Sequence, residues 1–150
     1  MMPPINWQPV TTEIVWAPIG LHRISPSSGE ARHVLVDKKA GENMMNAFCY
    51  IDEVLWIDFD HRHGASAGDL VGLRWHDQLG IMAAVRWSYR GEAEIKGAGY
   101  RFFSPSFRWS KETLRPDGFS GCDAGALVNA PAFKTMPRIE LVQLKPEVKL

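Results

Sequence analysis

The sequence predicts a mostly β domain with flanking helices: an antiparallel β-barrel of about seven short strands, with one or two helices on its outside. Three observations predict it. Runs rich in β-branched and aromatic residues recur between breaks rich in Gly, Pro and Ser. One segment, residues 37–53, carries a clear helical period. Six tryptophans in 150 residues ask for a compact, aromatic-rich core or groove.

The elements follow in order. "TTEIVWAPIGL" (Thr11 to Leu21) is rich in β-formers and reads as a strand, and "RISPSSGEAR" reads as a loop. "RHVLVD" is a second short strand. In "DKKAGENMMNAFCYIDE" Asp37 is placed to cap a helix whose Ala40, Met44, Ala47 and Phe48 share a face; Gly41 weakens it, and Cys49 falls near the apolar side. "EVLWIDFD" (Glu53 to Asp60) is a strand of mostly buried type. Leu70–Trp75 and Leu79–Trp87 form a hairpin turning at Asp77-Gln78. "GEAEIKGAG" is a short helix or a loop. "YRFFSPSFRW" is a strand that should send one of Phe102 and Phe103 inward and the other outward. "GFSGCDAGALVNAPAF" is a final strand stopping at Pro131, and "RIELVQLKPEVKL" is a last strand or a linker. No repeats or low-complexity segments appear. The 150 residues make one domain, with a linker or an extension beginning near 135–150.

Composition bounds the partners. Acidic and basic residues balance to zero, so no basic excess points to nucleic acid and no acidic tail is present. No apolar run approaches the roughly 18 residues of a membrane span. "MMPPINWQPV" does not read as a secretion signal. Cys49 and Cys122 suit a reducing compartment, unbridged, and form no metal motif.

The chemistry concentrates in two places. "DFDHRHG" packs Asp58, Asp60, His61 and His63 together, and strand alternation would put the two aspartates on one face and the two histidines on the other. Three readings compete for it: a solvated loop, a metal site, and a histidine acting as general base for a distant nucleophile. Two histidines at i, i+2 without a clear third ligand make a weak metal signal. The third reading needs a nucleophile, and the candidates are Ser104, Ser106, Ser66, Cys49 and Cys122. Ser104 in "YRFFSPSF" is preceded by a strand able to hold it rigidly. Pro105 removes the next backbone N–H, so oxyanion donors would come from another segment. Trp75, Trp87 and Trp109 read as core or groove lining; an aromatic groove suits an extended peptide bound as an added strand.

Taken together, "DFDHRHG…ASAGDLVGL…DQLGIMAAVRWSYRGEAEI…YRFFSPSF…GALVNAPAF" resembles the Mu-like prophage I protein family, the proteases of Mu-like bacteriophages. The likeness runs from about Thr11 to about Phe133. Each motif alone is weak, and their joint order is specific. More distantly the chain is similar to the prohead proteases of tailed phages and the assembly proteases of herpesviruses. That resemblance implies a herpesvirus-protease-like barrel surrounded by helices, forming a single protease domain. It implies a serine endopeptidase of capsid maturation, with phage scaffold and major capsid proteins as substrates, autoprocessing among its reactions and a homo-oligomer among its states. It implies no cofactor and no metal, and composition adds no nucleic acid and no membrane. The place of work would be the host bacterial cytoplasm, inside the assembling prohead.

Carried over residue by residue, the resemblance makes His61 the general base and Ser104 the nucleophile. The relatives place a third member on the strand after the serine strand, where this chain has Ala124. Asp123 is adjacent but should face the other way unless a bulge intervenes. Asp60, His63 and a plain dyad are the alternatives, and Asp123 is favoured. Ala132 and Phe133 fall where the relatives supply oxyanion amides. A scaffolding protein without catalysis and a metal-dependent hydrolase using His61, His63 and an aspartate remain as other functions.

Overall fold

The computed structural model describes residues 2–25 and 29–142. The chain orders as β1 (Thr11–Pro18), β2 (Gly20–Ile24), β3 (Arg32–Val36), α1 (Lys38–Cys49), β4 (Leu55–Phe59), β5 (Gly68–His76), β6 (Gly80–Trp87), α2 (Tyr89–Lys96), β7 (Phe102–Pro105) and β8 (Asp123–Val128). Six strands form one sheet in the order β1-β6-β5-β4-β8-β7, and β2 pairs β3 in a separate hairpin. The edge strands β1 and β7 pack against each other, which curls the sheet into a nearly closed barrel. The predicted class holds, with one exception to its antiparallel character: β4 and β8 run parallel.

The eighth strand comes from the run Thr11 to Leu21. The chain turns between Pro18 and Gly20, and β2 then continues into the segment expected to be loop, where Arg23 pairs with His33 and Ile24 with Arg32. The "YRFFSPSFRW" strand is shorter than expected. Ladder pairing ends at Pro105, beyond which Trp109 makes an isolated bridge to Pro116. The "GEAEIKGAG" segment is helical in α2, with Ser88 accepting a cap bond from the Gly91 amide. In the tail, residues 138–142 form no strand; the Ile139 amide instead bonds the Arg101 carbonyl, and the rest of that segment lies outside the described residues.

Alternation explains the core. Trp16, Trp87, Phe103 and Phe133 are fully buried, each burial contributing about 1.5–3 kcal/mol. The Phe pair divides as alternation requires, Phe103 inward and Phe102 half-exposed. Both buried indoles are satisfied, Trp87 donating to Thr12 Oγ1 at 2.7 Å and Trp16 to the Ala124 carbonyl at 3.0 Å. The second bond ties β1 to β8 across the barrel.

Helix α1 lies outside the sheet. Asp37 Oδ1 accepts from the Ala40 amide at 3.0 Å, the cap the sequence suggests. Gly41 is a fit rather than a flaw, because a Cβ there would meet Trp75 Cε3 at 2.8 Å, so the helix sits close on β5. Cys49 departs from expectation: it ends the helix on the exposed side, and both cysteines are free thiols. Among the described residues no helix is long and apolar enough to cross a membrane.

Candidate active site

Strand β4 carries one half of the site. It runs into the barrel wall with Asp58 nearly inaccessible at 1 % exposure, then ends abruptly. Asp60, His61 and His63 all have φ of 56°, so the strand alternation expected to divide aspartates from histidines stops at Phe59. Left-handed backbone costs L-residues about 1–2 kcal/mol apiece, and the turn holds only because surrounding groups fix it. Asp58 Oδ2 accepts from the His63 amide at 2.5 Å. The Asp60 amide bonds the Leu127 carbonyl at 2.9 Å, and Tyr100 Oη donates to Asp60 Oδ2 at 2.5 Å. That bond to Asp60 raises the Tyr100 pKa, with desolvation and the Asp60 charge adding to it. The turn projects His61 outward.

Strands β7 and β8 carry the other half. Ser104 pairs with Ala126 in the ladder and is buried, and Ser106 lies just past the strand end, half-buried. Both serines open with His61 on one groove of about 630 Å³. The Ser106 hydroxyl, not that of Ser104, stands within hydrogen-bond range of His61, 3.3 Å from Nδ1.

Asp123 reaches the same place through the bulge that alternation alone would not provide. In the parallel pairing with β4, Trp56 faces Asp123 and Ile57 faces Gly125, so Ala124 is the extra residue. The Ala124 side chain is fully buried, while the Asp123 carboxylate accepts from the Gly125 amide at 3.0 Å and lies 3.5 Å from His63 Nε2. Desolvation pushes the Asp123 pKa up and the nearby Asp58 charge adds to it; the Gly125 amide, the Ser106 hydroxyl and the His61 ring pull it back. Asp123 thus stands near Ser106 and His61, and the direct hydrogen-bond contact among the three is the one between Ser106 and His61.

The remaining candidates separate by their partners. His63 packs edge-on against Trp56 at 5.2 Å between centroids, and Asp60 is taken by Tyr100. Ser66 donates to the Gly68 carbonyl within its own loop. Glu53, hydrogen-bonded to Cys122 Sγ, raises that thiol's pKa, which disfavours a nucleophilic thiolate. Among the described residues no three His, Cys, Asp or Glu side chains are grouped to hold a metal ion. Ala132 lines the groove, and Phe133 anchors the segment by burying its ring 4.9 Å from His22 and 6.2 Å from Phe107. No hydrogen bond engages either amide among the described residues.

Sequence reasoning missed three features. The Ser106–His61 contact and the Tyr100–Asp60 anchor had signals only in the proximity of polar residues to the named ones. Arg23 and Arg32 line the groove because β2 extends into the supposed loop, and "GLHRI" carries no apolar alternation that would have signalled it.

The family described as Mu-like prophage I protein, N-terminal domain, matches residues 17–140. No curated protein and no solved structure matches.

Proposed function

The chain belongs to the Mu-like prophage I protein family, and on that premise we propose that it is a serine endopeptidase of phage head maturation, acting on scaffold and major capsid proteins inside the assembling prohead of the host cytoplasm. The observation that carries this reading is the groove on which His61, Ser104 and Ser106 open together.

Ser104 is the nucleophile in this proposal. It occupies the Ser-Pro position of the family pattern and sits on a paired strand, where its direction is fixed. His61 is the general base. Its Nδ1 is held by Ser106, and this leaves Nε2 to take the Ser104 proton. As the Ser104 oxygen bonds the peptide carbonyl carbon, the carbonyl oxygen becomes an oxyanion. The free amides of Ala132 and Phe133 are the donors assigned to it, since Pro105 has none to offer. Collapse breaks the C–N bond, His61 gives its proton to the leaving amine, and water releases the acyl group by the same route.

A second reading makes Ser106 the nucleophile, and the 3.3 Å contact with His61 favours it. The test is incubation of the protein with the scaffold and major capsid proteins of the same phage. Cleavage lost in Ser104→Ala supports the first assignment, and cleavage lost only in Ser106→Ala supports the second. Absence of cleavage by the unsubstituted protein removes the protease reading in favour of a structural scaffolding role.

A further inference from the structure

The groove carries three basic side chains and no acidic one. Arg23 and Arg32 come from the same end of the β2–β3 hairpin, where Arg23 pairs with His33 and Ile24 with Arg32, and Lys134 comes from the segment after Pro131. None has a carboxylate within salt-bridge distance among the described residues. The salt bridges of the described residues all lie elsewhere, on Lys39, His63, Arg74, Arg86, Lys96 and Arg115. Arg32 is also pre-oriented, its guanidinium lying 4.6 Å over the Trp109 ring on the groove wall. In a chain whose net charge is zero, this is a local concentration of unspent positive charge around the candidate nucleophile.

We propose that this groove selects acidic peptide segments, and that Arg23, Arg32 and Lys134 bind Asp or Glu side chains flanking the bond presented to Ser104. The assignment of the scissile bond rests on the protease reading; the charge selection does not. Arginine forks match carboxylates bidentately, and Arg32, already stacked, gives up little freedom in doing so. A cleft of about 630 Å³ holds a short length of peptide. Three cations in a recess, on a neutral chain, lack the long basic stripe that tracks a nucleic-acid backbone.

The experiment is fluorescence anisotropy of the full chain carrying Ser104→Ala. Two labelled decapeptides are compared, one of alternating glutamate and alanine, the other with glutamine for glutamate. Partly exposed ion pairs are each worth about two- to five-fold, so the glutamate peptide should bind about tenfold more tightly at low salt, and the advantage should shrink as salt rises. Arg23→Gln with Arg32→Gln should bring the ratio down to about two, and Lys134→Gln alone should lower it about twofold. Lys39→Gln, a charge change on the surface of α1, should leave it unchanged. Equal binding of the two peptides, or an unaltered ratio in both groove variants, overturns the proposal. So does tighter binding by a ten-nucleotide single-stranded DNA that displaces the peptide. Cleavage of scaffold without charge preference would sink acidic selection and spare the protease. Charge-selective binding by a chain that cleaves nothing would do the reverse.

Discussion

Ser106 Oγ lies 3.3 Å from Nδ1 of His61. A histidine with one ring nitrogen held has a defined orientation, which is what a general base requires. In the proposed mechanism this relationship makes Ser106 a positioning residue rather than the attacking one, and it separates the two serines experimentally.

Ser104→Ala should lower cleavage by about 10⁴-fold or more, and His61→Ala nearly as far, with the double variant no worse than either. Ser106→Ala should cost between about tenfold and a hundredfold, because it loosens the base without removing it. Time courses on scaffold protein measure all four. A dead Ser106→Ala beside an active Ser104→Ala would reverse the assignment.

Asp123 supplies a pH signature. Its folded pKa is raised above the ordinary 3.8, first by desolvation. Between the ordinary and the raised value the native state keeps a proton that the unfolded state has released. Stability therefore falls as pH rises through that window. In Asp123→Asn this fall should vanish from urea unfolding curves measured across it. Turnover should drop less than in Ser104→Ala, since an orienting group is lost and not a reacting one. An unchanged pH profile would mean that Asp123 does not carry the shift.

Tyr100→Phe removes one hydroxyl from the His61 turn. A net hydrogen bond is worth about 1 kcal/mol, so the melting temperature should fall by about 2–4 °C. Turnover should fall further than that small stability change explains, because the Asp60–His61 backbone loses an anchor while every reacting group stays in place. An equal loss in a variant of matched stability elsewhere would make Tyr100 merely structural.

Much of this was legible in the residues, and what was hidden has physical causes. The α1 cap at Asp37, the β5–β6 hairpin and the paired faces of Phe102 and Phe103 follow from local propensity and period, so they could be read directly. The bulge at Ala124 could not, because an extra residue in a ladder is a property of two strands, here β4 and β8, far apart in sequence and parallel. A ladder read without the bulge puts the Asp123 side chain on the opposite face, away from the Gly125 amide and His63 that it meets here. The left-handed turn at Asp60, His61 and His63 was hidden likewise, since alternation presumes that a strand continues. The groove cations depended on where β2 ends, and element boundaries are the weakest part of pattern reading.

Gly125 links the fold to the site most tightly. Its φ is 141°, and a Cβ there would lie 2.4 Å from Phe103 Cζ and 2.5 Å from the Ser104 carbonyl oxygen. Those two residues are the core anchor and the proposed nucleophile of β7, so β8 approaches the serine strand closely only because no side chain intervenes. Gly125→Ala combines strained backbone with overpacking against main chain, each costing about 1–3 kcal/mol. The expected loss is about 3 kcal/mol, or roughly 6–12 °C in melting temperature. Relief requires β7 to move away from β8, so the variant should also lose cleavage beyond its unfolded fraction at low temperature. Gly64→Ala is the control, in the loop after His63 with open space where its Cβ would go, and it should change stability by less than about 0.5 kcal/mol. Calorimetry and scaffold cleavage on the two variants decide the matter. A stable, active Gly125→Ala protein would show that the β7–β8 approach does not set the position of Ser104.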